Sequence, residues 1–381
     1  MGEQHKGKGI GRGAAAGLGL AAAAVGGVAI AGAGLAGRSA ARRSRAYAVT
    51  ARDRVHVFPF ATDKMVAVRA SDGLVLHAEI DEPDDWSSQR GPTVVLVHGF
   101  VLNLSSWVHQ RRALVDAGYR VVSYDQRNHG ISEVGDLANC TIDQLGKDLR
   151  AVIDATTPEG DLVLVGHSMG GMTIMSFAGR YPELTRDRVT GAALIATSAG
   201  GDSLVQLGLG AMFDRIIAKL GPGFLGGLGQ REGVWGSLRA AGRAVENHFV
   251  QKYAFGTEMP KEMLRAVATM VFGTRLDAIG AFLPELDELD VRETLPGLVE
   301  TPVLIVAGSK DLLTPPEHSE RLAEALPAAE HIVIPGVGHL LQLERPGPVT
   351  EAIFGLLERP RGVDAETDAE RAKAAVRGRS A

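Results

Sequence analysis

Leu162-Val163-Leu164-Val165-Gly166-His167-Ser168-Met169-Gly170-Gly171 is the stretch on which the reading of this chain turns. Four apolar residues in a row suit a strand buried on both faces. The segment that follows, Met172 to Tyr181, has the composition of a helix. Between them lies the pattern G-x-S-x-G, which requires a strand, a sharp turn and then a helix. A serine on so tight a turn needs small neighbours, because the helix must leave the strand at close range. Gly166 and Gly170 supply that space, and glycine tolerates backbone angles that side chains forbid. Ser168 would then stand at a helix N-terminus, where unpaired N–H groups and the helix dipole favour developing negative charge. The competing reading is an ordinary Gly-rich turn with a bystander serine, and the rest of the chain must decide.

Outward from this stretch the chain keeps a regular rhythm. Short apolar runs recur at Val94–Val97, Val121–Tyr124, Ala192–Ala196, Val303–Val306 and Ile332–Ile334, separated by helix-like segments. Unbroken runs alternating with helices predict a mostly parallel, doubly wound α/β sheet. Before them, Met65–Arg69 and Leu74–Ile80 flank Asp72-Gly73 and read as an antiparallel hairpin. The interval between Ala192 and Val303 is far longer than one crossover. In an open α/β sheet an insertion at a strand C-terminus lies over the ligand crevice, so a helical cap is expected at 201–300. Leu209, Phe213, Ile216, Ile217 and Leu220 fall there at helical spacing, with Gly-rich breaks at Gly221–Gly223 and Gly226–Gly229. This cap reads either as simple apolar packing or as a lid lining an acyl pocket.

The remaining segments complete the organisation. Core segments are expected at 63–200 and 301–358, with a linker at 46–62, a closing helix over Pro346–Leu357 and a polar tail at 359–381. Residues 1–45 form a basic, Gly/Ala-rich arm. From Gly13 to Gly37 this arm carries no charge, and as a helix it would be about 37 Å long, enough to cross a bilayer. Membrane anchor, secretory signal with Ala31-Gly32-Ala33 as a cleavage site, and low-complexity arm are the three readings. The first two place the protein at a membrane or in the cell envelope. A net charge of −5 excludes a general nucleic-acid binder. Cys140 is the single cysteine, which excludes an internal disulfide framework and a multi-cysteine metal site. No H-E-x-x-H or clustered ligand pattern calls for a metal, and no cofactor is implied.

A serine at such a turn is a poor nucleophile until a base takes its proton, and the base needs an acid to orient it. Of eleven histidines, His339 in Gly336-Val337-Gly338-His339 follows a strand and a short Gly turn. His248, His318 and His331 sit in the insertion, at a helix start and at a strand start. Asp311 lies just past Val303–Val306 in Ala307-Gly308-Ser309-Lys310-Asp311; Asp202, Asp287 and Asp290 compete with it. The order serine, acid, histidine is one in which such triads recur. Donors for an oxyanion are expected from the Met169 N–H and from the loop His98-Gly99-Phe100, with Phe100 as the natural donor and His98 bracing the loop.

Taken together, His98-Gly99-Phe100, Tyr124-Asp125-Gln126-Arg127-Asn128-His129-Gly130-Ile131-Ser132, the serine turn, Gly308–Asp311 and Gly338-His339 resemble the α/β-hydrolase superfamily over residues 74–357. The chain is similar to its actinobacterial esterase/lipase-like members and to the neighbouring non-haem haloperoxidase (perhydrolase) branch. The resemblance implies a Ser168–Asp311–His339 triad with oxyanion donors at Phe100 and Met169, and a structural part for Asp125 and His129. The expected activity is hydrolysis of apolar, lipid-like carboxylic esters through an acyl-enzyme. Perhydrolysis or thioester cleavage on the same triad is the alternative, and a non-catalytic binding protein is the alternative of another class. An aspartate in place of Ser168 would have pointed to haloalkane or epoxide chemistry. The insertion matches no recognisable cap of the family.

Overall fold

The computed structural model describes residues 60–83, 86, 91–201 and 246–359. The chain divides into two units, Met1–Arg54 and Val55–Ala381, and every described residue belongs to the second. The expectations for residues 1–45, for most of the linker, for 202–245 of the cap and for 360–381 fall outside the described residues.

Eight strands form one sheet in the order β1-β2-β4-β3-β5-β6-β7-β8. They are β1 (Lys64–Arg69), β2 (Val75–Asp81), β3 (Thr93–Val97), β4 (Val121–Tyr124), β5 (Leu162–His167), β6 (Val189–Ile195), β7 (Val303–Gly308) and β8 (Glu330–Ile334). β1 and β2 pair antiparallel around the Asp72-Gly73 turn, β2 joins β4 antiparallel, and β3 to β8 run parallel. β6 begins at Val189, before its apolar run, because Val189 and Gly191 pair with β5 across a register shift.

The unbroken apolar strands feed two layers at once, as side chains alternate across a sheet. Val95 and Val97 of β3 and Leu164 of β5 join one core with helices α2 (Ile142–Thr156) and α3 (Met169–Arg180), which follow α1 (Val108–Asp116). Val94, Leu96, Val163 and Val165 face the other way, against Leu114 of α1 and against Val349, Ile353 and Leu356 of the closing helix Pro346–Leu357. Between β6 and β7 the described insertion contains a helical stretch at 246–254 and the helices Lys261–Gly273 and Leu276–Asp287. A third cluster joins Val250, Leu264 and Val267 of this insertion to Leu102 and Leu340. Those last two residues flank the loops after β3 and β8. Among the described residues no single helix is long and apolar enough to cross a membrane.

Parallel pairing brings the strand C-termini to one edge of the sheet. Val97 is paired with Gly166, His167 with Ile195, and Gly308 with Ile334. The loops carrying Phe100, Ser168, Asp311 and His339 all leave from this edge.

Candidate active site

The turn at Ser168 is built by close approach. A Cβ on Gly166 would lie 2.5 Å from the backbone of Gly170, and one on Gly170 would lie 2.2 Å from the Val97 carbonyl oxygen. Ser168 itself takes φ 52° and ψ −118°, a region non-glycine residues rarely enter. Such strain persists only where surrounding contacts over-determine it. Here Ser168 N–H donates to Ile195 O at 2.9 Å, and Thr197 Oγ1 donates to Ser168 O at 2.7 Å. The result shows in its exposure. From Leu162 to Ala178, Ser168 alone is not buried.

His339 Nδ1 lies 2.8 Å from Asp311 Oδ2. With a proton on Nδ1 donated to the carboxylate, the Nε2 lone pair is left for the substrate side. Asp311 is 3% exposed, and its other contacts fix its direction. Leu313 N–H and Thr314 N–H donate to Oδ1 at 2.8 and 2.9 Å, and Thr314 Oγ1 donates to Oδ2 at 2.9 Å. Thr314 Oγ1 also stands 3.3 Å from His339 Nδ1. Behind the histidine, His167 Nε2 lies 2.9 Å from His339 O, a distance at which a ring N–H donates to that carbonyl.

On the opposite side, the loop after β3 has its own support. Gln126 N–H donates to His98 Nε2 at 2.9 Å, while His98 Nδ1 meets Gly99 O at 2.8 Å. Burial pushes the His98 imidazole down to about 3, so it braces the loop as a neutral ring. Val101, at φ 55°, donates its N–H to His129 Nε2 at 3.1 Å. Burial also lowers His129, to about 4, which keeps that acceptor lone pair available. Asp125 receives Leu104 N–H and Ile131 N–H at 2.9 and 2.8 Å, and burial raises it to about 6. The Phe100 ring packs edge-on against His129 and Phe282. Met169 opens α3, and the first N–H groups of a helix have no acceptor within it.

Ser168 and His339 border one cavity of about 80 Å³. Its walls include Leu102, Met172, Val250, Val267, Leu286 and Leu340, and none of the described residues lining it is an acidic, lysine or arginine side chain. The competing residues lie elsewhere or are engaged. His318 meets Ser198 Oγ at 2.8 Å, His331 meets Ser319 Oγ at 2.9 Å, and Asp290 is paired with Arg292. His248 lies in the stretch 246–254 and Asp287 ends its helix; Asp202 is outside the described residues. The sequence reading passed over Thr314 and the bond from His167, because both depend on contacts that no local pattern encodes. Among the described residues no group of acidic, cysteine and histidine side chains could hold a metal ion.

Comparison with known proteins agrees with this architecture. The profile of the alpha/beta hydrolase fold family matches residues 92–346. Epoxide hydrolase B of Mycobacterium tuberculosis is 38% identical over 136 residues, which is 35% of this chain and 36% of that protein. The chain thus spans just over a third of that relative's length. Non-heme chloroperoxidase CPO-A1 of Kitasatospora aureofaciens is 29% identical over 260 residues, 67% of this chain and 86% of that protein. A thermophilic esterase from Thermogutta terrifontis superposes with a TM-score of 0.59 at 27% identity, covering 78% of this chain and 100% of that one. The family match spans well over half of the chain, and with the sheet order it makes this protein a member of the alpha/beta hydrolase fold family of hydrolases.

Proposed function

We propose that the protein hydrolyses carboxylic esters with apolar acyl groups through an acyl-enzyme on Ser168. The observation that carries this reading is the meeting of Ser168 and His339 at one apolar cavity, with Asp311 2.8 Å behind the histidine. Ser168 Oγ attacks the ester carbonyl as His339 Nε2 takes its proton, and Asp311 stabilises the imidazolium without being protonated. Phe100 and Met169 N–H groups receive the oxyanion. The tetrahedral intermediate collapses, His339 returns the proton to the departing alcohol, and water repeats the sequence to release the acid. Serine rather than aspartate at the turn favours this over epoxide opening, despite the similarity to an epoxide hydrolase.

A lining without acidic, lysine or arginine side chains among the described residues disfavours a charged acyl group, because burying an unpaired charge is costly. For p-nitrophenyl esters, kcat/KM is expected to be at least about tenfold higher for a neutral butyryl group than for a succinyl group of similar length. Equal rates, or no turnover of either, would contradict the proposal. The similarity to a chloroperoxidase supports a second reaction, in which hydrogen peroxide replaces water in deacylation and yields a peracid. Peracid formation in competition with hydrolysis measures it. Membrane attachment through residues 13–37 remains part of the proposal, tested by flotation of the full chain with liposomes.

A further inference from the structure

Glu344 is the last residue of the short helix Leu341–Glu344 and is 6% exposed. Its carboxylate is met by four donors. Oε2 accepts Gly338 N–H at 2.8 Å and Gly256 N–H at 3.0 Å, and Oε1 accepts Thr257 N–H and Thr257 Oγ1, both at 2.6 Å. Among the described residues Glu344 has no ion pair. Donors converging from two loops need an acceptor-only group with lone pairs on both oxygens, which an ionised carboxylate supplies and an amide does not. The two loops are distant in sequence. Gly338 immediately precedes His339, whereas Gly256 and Thr257 end the stretch whose Phe249, Val250, Tyr253 and Ala254 form one wall of the cavity.

A second bond repeats the connection on the other side of the histidine. Leu340 N–H donates to Ala254 O at 2.8 Å. The two backbones also touch, since a Cβ on Gly256 would lie 2.5 Å from Gly336 O. His339 is therefore bracketed, through Gly338 and Leu340, by the segment 254–257 within the insertion.

We propose that Glu344 is a positioning residue that ties the insertion's wall of the acyl pocket to the histidine base, so that seating the acyl group and aligning His339 are coupled. This rests on the triad reading given above. A group that acts by alignment affects the chemical step more than ground-state binding, and a misplacement of about 1 Å can cost roughly a hundredfold.

The test is a double-mutant cycle on hydrolysis of p-nitrophenyl butyrate, with unfolding followed for each variant. Glu344→Gln and Glu344→Leu are made alone and with His339→Ala. Each is expected to lower kcat roughly tenfold to a hundredfold with KM little changed when His339 is present. Neither should lower further the residual rate left in His339→Ala, which the oxyanion donors and binding keep above the uncatalysed reaction. Equal losses in both backgrounds, or no loss of kcat in either single variant, would overturn the coupling. If Glu344→Leu fails to fold, Glu344→Gln decides by the same criterion, because it keeps one acceptor oxygen and loses the other. Full activity in His339→Ala would instead overturn the triad, and the coupling with it.

Discussion

Asp311 depends on Thr314 as much as on its own place in the chain. The Thr314 hydroxyl donates to the same oxygen that receives His339 Nδ1, which keeps that carboxylate from turning away. Thr314→Val removes this donor at nearly constant volume, and Oδ2 keeps its bond to the histidine. A single hydrogen bond of this kind is worth about 1 kcal/mol, so kcat/KM on a p-nitrophenyl ester should fall by roughly threefold to tenfold. An unchanged value would show that Thr314 has no part in orienting the pair. The candidates Ser168, Asp311 and His339 could be picked out of the sequence because each lies at or just past the C-terminal end of an apolar strand, a local pattern. Thr314, His167 and Glu344 could not. Their parts are set by which side-chain atoms meet across separate loops, and one chain without its fold does not contain that information. His129 lies between these cases: the motif around it was visible, but its bond to the strained Val101 N–H was not.

Gly170 sets the geometry of the strand–turn–helix element. The sequence reading placed Gly170 and Gly171 in the turn and began the helix at Met172, whereas α3 begins at Met169. The glycines lie inside its first turn, where the helix passes against the end of β3. Gly170→Ala would put a Cβ 2.2 Å from the Val97 carbonyl oxygen, and backbone at the centre of a sheet cannot easily retreat. Overpacking of this kind costs about 1–3 kcal/mol or more, against about 1 kcal/mol gained in helix propensity. Urea unfolding should report net destabilisation, and the proposed hydrolysis of p-nitrophenyl esters should be lost; a variant as stable and active as the parent would contradict this account of the turn. The strands themselves were legible because a parallel sheet covered on both faces demands unbroken apolar runs. β6 was misjudged at its start, where Val189 and Gly191 pair with β5 and the polar Thr190 between them falls at the register shift.

At the scale of the whole molecule, three buried histidines make stability depend on pH. Burial holds His98 at about 3, His129 at about 4 and His167 well below its usual range, against about 6.5 in the unfolded chain. Between about pH 4 and 6.5 the unfolded chain therefore binds more protons, and stability is lost as pH falls through that window. Asp125 opposes this. Burial raises it to about 6, so the fold keeps a proton that the unfolded carboxylate releases. Asp81 and Asp148 are raised by burial too and act in the same sense as Asp125. Three histidines against Asp125 alone would leave about two protons near pH 5, an upper limit of about 2.7 kcal/mol per pH unit that Asp81 and Asp148 reduce. Urea midpoints should fall from pH 7 to pH 5; constant or rising midpoints would contradict a net effect carried by the histidines and would mean that the buried carboxylates outweigh them.

The central claim concerns one oxygen atom, Ser168 Oγ, activated by His339. The most direct measurement is intact-mass analysis after treatment with a fluorophosphonate. The account predicts one covalent adduct on the folded chain, located at Ser168, absent from Ser168→Ala and slowed strongly in His339→Ala. No adduct on the folded parent, or an adduct that persists in Ser168→Ala, would contradict it.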